Sequence, residues 1–600
     1  MQEIREKLQS VIRDLYGLDD FVPELTPSPA NINADYSSNA PLKLAKSLHK
    51  SPMDIAREVE TFISTKGGFR SAAARDLAPA AHGRQPEETR EERTGSFFRG
   101  DDGRTTLVDG PAGRDPVVDI NVSTPGFINF ILSDDYLWSI IENLDKDLNA
   151  SIASDEYEGQ TVICEFSDPN PFKVLHVGHL YTSIVGDAIS RLYEYAGAKV
   201  IRANFGGDVG LHVAKTMYIL RQKDPNELTI DDIAKCYVEG TAAYTDNEEA
   251  RAEITALNKE IYKINADKVH DTPIADLYWQ GRELSYDYFR HFYDQIGVHF
   301  DKYYPESSVA QLGLAKVKEQ LEKGVYEYSN GAVIFNGDKY GLHTRVFINR
   351  EGVPTYETKD VGLIFTKWDD YHFDKSIVIT GSEQLEYMKV VLKSVEQYAP
   401  ELTKRTTHLT HGLVKLPGGV KMSSRKGNFL KAVDVLNMVK SALKEEYNST
   451  DPIVSLAATK YAFLTYKMGG QIIFDPHASV KMTGNSGPYL LYSAVRAKKI
   501  ISKNNNHYNL INHIYDNYEK SLIKKTIEYK SILQVVVAEM APLKVANFLY
   551  ELAQEFSRFY EHCPVHGSSR EKERLKLVQV YLNVMTHGLG LLGINIPEEM

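Results

Sequence analysis

Apolar residues recur at helical spacing from residue 3 to 16, with Ile4, Leu8, Val11, Ile12 and Leu15 on one stripe, so the chain is expected to open with an amphipathic helix. A Pro/Asn-rich connector and Asp35-Tyr-Ser-Ser-Asn39 lead to a second helix through Leu42, Leu44 and Leu48. Ser51-Pro52 reads as the N-cap and first-turn proline of a third, reaching about Ile63. Val117 to Leu132 alternates as two strands round a turn, which completes a small α+β domain over residues 1–135. Residues 67–116 break this pattern: eight arginines and little apolar periodicity, in a stretch without lysine from Gly67 through Asp145. The tract reads as a flexible insertion or as a shifted reading frame, and composition does not separate the two.

The pattern then changes to strand, turn and helix. Thr161 to Phe166 is a short apolar run that reads as a buried strand; a proline-bearing turn follows, then His176-Val-Gly-His179 and a helical run through Ile184, Ala188, Leu192 and Ala196. Val200 to Phe205 repeats the unit, ending in Gly206-Gly-Asp-Val-Gly210 before a helix over 211–221. Residues 228–300 read as helical and acidic, Val325 to Ile348 as short strands, Tyr356 to Asp360 as the approach to a helix, and Ile377 to Thr380 as a buried strand. Gly381-Ser-Glu-Gln384 is expected to cap the helix after it. From about Asp451 the pattern is helical to the end. The fold class is therefore α/β, a Rossmann-like parallel-sheet catalytic domain over 155–440 with an insertion at about 228–340, followed by an α-helical bundle at 450–600.

Six hundred residues are too many for one core. Three widely spaced cysteines (Cys164, Cys236, Cys563) argue against a disulfide framework or a zinc knuckle. The polar start and the absence of any span-length apolar run predict a cytoplasmic protein without a membrane partner. A net charge of −12 argues against non-specific coating of nucleic acid, while a structured RNA needs only local basic surface. Such surface is available at 421–431, 496–503 and 570–576, although each taken alone reads as a solvated helix face.

Two stretches carry candidate chemistry. His176 and His179 are three apart, so on a first helical turn they share a face, beside the backbone N–H groups that suit a polyphosphate. Gly178 has no Cβ, so a flat base has room against the backbone there. Lys421-Met-Ser-Ser-Arg-Lys-Gly427 is a basic, glycine-ended loop with two hydroxyls, the make-up of a phosphate clamp. Small-molecule nucleotidyltransferases also use His-x-Gly-His, and a non-enzymatic RNA-binding or regulatory protein is the other alternative.

Taken together, His176-Val-Gly-His179 and Lys421-Met-Ser-Ser resemble the two signatures of class I aminoacyl-tRNA synthetases, and the match sharpens to the arginyl-tRNA synthetase family. It is carried by Glu165-Phe-Ser-Asp-Pro-Asn170, Asn204-Phe-Gly-Gly-Asp-Val-Gly210, Tyr356-Glu-Thr-Lys-Asp-Val-Gly362, Met422-Ser-Ser-Arg-Lys-Gly427, Asn485-Ser-Gly-Pro-Tyr-Leu-Leu-Tyr492 and the ending from Leu589. It covers nearly the whole chain except 67–116. Ser424 stands where the class usually has a second lysine, and Lys173 stands where arginyl enzymes are thought to place a substitute. His212 and Val209 depart from the family's usual Gln and Trp.

The resemblance implies ligation of L-arginine to tRNA(Arg) through arginyl-adenylate, with ATP and its Mg²⁺, by a monomer with no dedicated metal site. Lys173, His176, His179 and Lys421 are the implied catalytic residues. The implied ATP contacts are His176, Gly178, His179, Asp208, Lys421, Met422, Ser423 and Ser424. Asp360 and Glu165 are implied at the guanidinium. Ser167, Asp168, Asn170, His179, Tyr356 and Gln384 complete the arginine site, and the N-terminal domain is the implied tRNA-elbow contact.

Overall fold

The computed structural model describes residues 2–28, 32, 34–66, 116–223, 228–417, 430–503 and 515–600. The Arg-rich tract up to residue 115 and the loop carrying Lys421, Met422, Ser423 and Ser424 lie outside the described residues.

One compact unit comprises Met1–Leu148, Asn505–Ile527 and Arg558–Val580. Helix α1 (Gln2–Tyr16) buries Ile4, Leu8, Val11 and Ile12 of the predicted stripe and leaves Leu15 half-buried. Strands β1 (Thr26–Pro27) and β2 (Tyr36–Ser38) precede α2 (Ala40–Leu48) and α3 (Pro52–Lys66). Strands β3 (Val117–Ser123) and β4 (Phe127–Leu132) then complete an antiparallel sheet of order β1-β2-β4-β3, followed by α4 (Asp134–Lys146). The helix Asn517–Ile527 belongs to this unit as well. Its Lys524 pairs with Asp35, Lys520 with Asp134 at 2.8 Å, and its buried Glu519 takes both Arg570 and Arg574. Lys576 lies 3.6 Å from Asp145. The basic 570–576 stretch is thus largely matched by carboxylates within its own unit.

The second unit comprises Asn149–Asn504, Glu528–Ser557 and Tyr581–Met600, so the helices expected as one bundle at 450–600 divide between the two units. After α5 (Leu148–Ile152) come β5 (Thr161–Glu165), α6 (Val177–Tyr195), β6 (Lys199–Gly206) and α7 (Leu211–Leu220). The acidic stretch forms α8 (Ile230–Asp246), α9 (Glu248–Ala266) and α10 (Pro273–Ile296). Next are β7 (Lys302–Pro305), α11 (Glu306–Glu322) and a small antiparallel sheet of β8 (Glu327–Ser329), β9 (Ala332–Phe335) and β10 (Arg345–Ile348). The chain continues through α12 (Tyr356–Tyr371), β11 (Lys375–Gly381), α13 (Leu385–Glu396), α14 (Pro400–Arg405), β12 (Thr406–His411) and β13 (Val414–Lys415). Helices α15 (Ala432–Tyr447) and α16 (Pro452–Leu464) lead to β14 (Ile472–Ile473), α17 (Pro476–Ser479) and α18 (Gly487–Ser502). Among the described residues no helix is long and apolar enough to cross a membrane.

The central sheet is parallel throughout, in the order β12-β11-β5-β6-β7. Val162, Ile163 and Cys164 are fully buried, which is why β5 reads as an unbroken apolar run rather than an alternating one. Strand β7 and helix α11 lie inside the 228–340 stretch, yet β7 is a strand of this sheet. The strand order reverses between β5 and β11, and open sheets of this kind bind ligands outside the carboxyl ends of the strands at such a point.

Helices α11 and α12 cross through two glycines: a methyl on Gly313 would collide with the Thr358 carbonyl, and one on Gly362 with the Val309 carbonyl. Gly313→Ala should cost about 1–3 kcal/mol by overpacking. Thermal melts of the variant beside the unaltered protein check that loss.

Candidate active site

The carboxyl end of β5 runs into a turn with three non-glycine residues in the left-handed region: Ser167 (φ 74°), Asp168 (φ 52°) and Phe172 (φ 66°). Strain of this kind persists only where the surroundings over-determine it. Here they do. Ser167 Oγ lies 2.9 Å from the Tyr293 hydroxyl, Asp168 Oδ1 accepts from Phe205 N at 2.8 Å, and Asn170 Oδ1 accepts from Gly207 N at 2.7 Å. The Phe172 ring packs on Tyr278 of α10, while Phe172 N donates to Ser285 Oγ and Leu175 N to the Tyr288 hydroxyl. Lys173 is therefore pinned on both sides. Its Nζ sits 4.8 Å from the Tyr237 ring centroid, and burial pushes its ammonium down to about 8, against the pull of Glu306.

His176 was expected on the first helical turn of α6. It is instead the N-cap residue, in extended conformation, and the two histidines cap each other's backbone. Gly178 N donates to His176 Nδ1 at 3.1 Å and His176 N donates to His179 Nδ1 at 3.0 Å. Both Nδ1 atoms accept, so each neutral ring keeps its proton on Nε2. The rings stack with centroids 3.8 Å apart. Burial holds His176 down at about 4 and His179 well below its ordinary value, so near neutrality both rings present N–H donors rather than cations. A Cβ on Gly178 would stand 2.8 Å from the His176 ring, so the glycine is required by the imidazole beside it.

The segment just after the Lys421 loop joins this turn. Leu430 O accepts from Val177 N and Ala432 N donates to Leu175 O, both at 2.9 Å, around an antiparallel bridge of His176 with Lys431. His411, at the end of β12, packs on Tyr181 of α6 with ring centroids 5.0 Å apart.

Beside this cradle lies an acidic slot. Tyr356 and Asp360, expected just before a helix, occupy its first turns at i and i+4 and so share a face of α12. Asp360 is buried and takes the Tyr387 hydroxyl of α13; burial, with Glu165, Glu306 and Glu357 nearby, pushes its carboxyl up to about 8. Burial and the charge of Glu165 raise Asp168 as well. Glu165 is not a free carboxylate: it forms a buried ion pair with Lys367 at 2.6 Å, and Lys367 also donates to Ser376 Oγ. Lys367 is spent on Glu165, so buried Asp360 and half-buried Asp168 stand beside that pair without a cation of their own, an arrangement that attracts one. Lys367→Met should destabilise the protein by about 3–5 kcal/mol, because it leaves Glu165 buried and unpaired. The double variant Glu165→Gln/Lys367→Met should recover most of that loss in a denaturant titration.

The surroundings of three other expected residues are as follows. Asp208 is fully buried, with Oδ2 taking Arg282 Nε (3.0 Å) and Ser307 Oγ (2.7 Å) and Oδ1 taking Ser307 N. It anchors the start of α11. Gln384 is exposed on the turn three residues before Tyr387. Tyr356 is 56% exposed with the Lys359 ammonium 5.1 Å from its ring centroid, and Lys359 is held charged by a buried pair with Glu306. Glu306, Lys367, Tyr387 and Tyr293 are site neighbours that no local motif marks, and Lys359 stands inside the Tyr356–Gly362 phrase but has no implied role there.

Comparison with known proteins agrees with this geometry. A family model for the class I tRNA synthetase (R) catalytic domain matches residues 141–461, one for the DALR anticodon-binding domain matches 490–600, and one for the arginyl-tRNA synthetase N-terminal domain matches 2–75. The arginine–tRNA ligase of Porphyromonas gingivalis is 27% identical over 518 residues, covering 79% of this chain and 86% of that protein. That of Fusobacterium nucleatum is also 27% identical, over 81% and 88% of the two chains. In fold the chain is similar to Thermus thermophilus arginyl-tRNA synthetase (TM-score 0.74, 20% identity, 100% of both chains). It is also similar to the Plasmodium falciparum enzyme (TM-score 0.71, 18% identity, 100% of this chain and 99% of that one). With its catalytic-domain match spanning more than half of its length, the chain belongs to the class I arginyl-tRNA synthetase family.

Proposed function

We propose that this chain ligates L-arginine to tRNA(Arg) in two steps, as a cytoplasmic monomer. The observation that carries the reading is the excess of carboxylate at the switch point (buried Asp360, half-buried Asp168 and the Lys367-paired Glu165) next to a cradle of neutral histidines and a lysine. A guanidinium is the cation such a slot suits, because its planar fork matches carboxylate oxygens two at a time. Asp360 takes that fork, and Asn170, Ser167 and Tyr356 hold the α-amino and carboxylate end.

The arginine carboxylate oxygen attacks the α-phosphorus of ATP, the bond to the β-phosphate bridge breaks, and pyrophosphate leaves. The 2′-hydroxyl of the tRNA's terminal adenosine then attacks the arginyl carbonyl and AMP departs. The protein's part is to position the reactants and balance charge. His176 and His179 donate Nε2–H groups to phosphate oxygens without bringing extra charge, and Lys173 supplies the cation as charge moves to the leaving group. Lys421, Met422, Ser423 and Ser424 contact the phosphates; the backbone bonding of Leu430–Ala432 to Leu175–Val177 supports that role. The stretch matching the DALR model binds the anticodon arm. ATP–pyrophosphate exchange with each of the twenty amino acids, with tRNA present, tests the reading: arginine alone should support exchange. Exchange without arginine would instead point to a small-molecule nucleotidyltransferase.

A further inference from the structure

His212, the second residue of α7, stands outside the roles above, and its bonding is unusual. The imidazole is buried, Nε2 lies 2.7 Å from the Gly207 carbonyl oxygen, and Nδ1 is buried without a partner. A carbonyl only accepts, so Nε2 carries the proton and Nδ1 is bare. Protonation of Nδ1 would add a charge near Lys173 and Lys359, and Lys215 of α7 acts in the same sense; burial sets the same direction, so the ring stays neutral and its donor stays aimed at Gly207.

Gly207 is gripped from its other side by Asn170, whose Oδ1 accepts the Gly207 N–H at 2.7 Å. A Cβ at this position would stand 2.6 Å from Asn170 Oδ1 and 3.0 Å from Glu306 Oε1, so a side chain there would push the carboxamide aside. The donor is a backbone N–H, so the carboxamide orientation follows: Oδ1 is spent on the backbone and Nδ2 is the free end. A free NH₂ donates only, so it suits a carboxylate and not an ammonium.

We propose that His212 is a positioning residue which, by clamping the Gly207 backbone, holds the Asn170 carboxamide with its Nδ2 ready for the carboxylate of the amino-acid substrate. This rests on the arginine reading above. The geometry places His212 one step from the substrate, acting through Gly207 and Asn170, and it restricts Asn170 to the carboxylate half of the α-amino-acid end.

The test compares arginine with agmatine, which is arginine without its carboxylate, as a competitive inhibitor of exchange. His212→Leu should raise the arginine KM about tenfold, the scale of one lost hydrogen bond, and leave the agmatine Ki and the ATP KM within about twofold. His212→Gln, whose amide N–H reaches about as far as Nε2, should restore the arginine KM. On an Asn170→Ala background His212→Leu should add nothing. If the Leu variant does not fold, His212→Met serves as the donor-free side chain. Equal losses for arginine and agmatine, additive losses with Asn170→Ala, or no loss at all would each overturn the proposal. Failure of wild-type protein to bind either ligand would instead remove the arginine reading itself.

Discussion

Asp360→Asn should cut kcat/KM for arginine by between about 30-fold and several thousandfold at pH 8.5, from the roughly 2–5 kcal/mol at stake when one member of a buried charge pair is removed. The size should depend on pH in a direction that the site fixes. The carboxyl titrates near 8 because it is buried among other carboxylates, so in free protein at pH 7 most of it is protonated. The guanidinium needs the ionised form. In the wild type kcat/KM for arginine should therefore rise with pH up to about 8 and then flatten, whereas the Asn variant, which mimics the protonated acid, should lack that limb. The ratio between the two proteins shrinks as pH falls. Stability without ligand runs the opposite way: the folded protein holds this proton more tightly than the unfolded chain, so stability is fully present below the unfolded pKa of about 4 and is lost as pH rises to about 8. Saturating arginine should remove that loss. An arginine-saturation series and thermal melts from pH 6 to 9 check all of this; a wild-type kcat/KM flat across that range would show that Asp360 does not receive the guanidinium.

Local pattern carried the elements of this fold, and distance in sequence hid their partners. The unbroken apolar run at Thr161–Glu165 and the 3.6-residue period after His179 needed only neighbouring residues to be read. The pairing of Glu165 with Lys367 joins positions 202 apart, on the end of a strand and the inner face of a helix, and nothing near either residue announces it. The partners of Asp208 were hidden for a related reason. A carboxylate in a Gly-Gly-Asp turn at a strand end belongs where nucleotides bind, but Arg282 and Ser307, from two later helices, occupy its oxygens. The N-cap role of His176 was missed because imidazole is an uncommon cap: its Nδ1 does what a serine hydroxyl usually does, and the stacked pair forms only because His179 returns the bond. Tyr356 to Asp360 looked like an approach to a helix because Thr355 gives no side-chain cap; the Lys359–Glu306 pair and the close crossing with α11 hold the turn instead.

Lys173→Ala should slow arginine-dependent pyrophosphate exchange by about 10²–10³, while the ATP KM changes by no more than a few fold, because a preorganised donor matters most where charge develops in the transition state. Lys173 is held between Phe172 and Leu175, each anchored to α10, so its ammonium needs no reorganisation when the α–β bridge breaks. Burial drops its pKa to about 8 in the free protein. Only the charged form can stabilise the leaving pyrophosphate, so kcat/KM for ATP should fall above that pH. Bound polyphosphate, as an anion, raises the pKa again, so the corresponding fall in kcat should move to higher pH. Neither alkaline limb should survive in the Ala variant or in Lys173→Met, which keeps the stem that packs on Tyr237. His176 and His179 supply no such limb, being neutral across the range. Matched losses in kcat and in ATP affinity would assign Lys173 to ground-state binding of the triphosphate and leave the histidine pair to stabilise the departing charge.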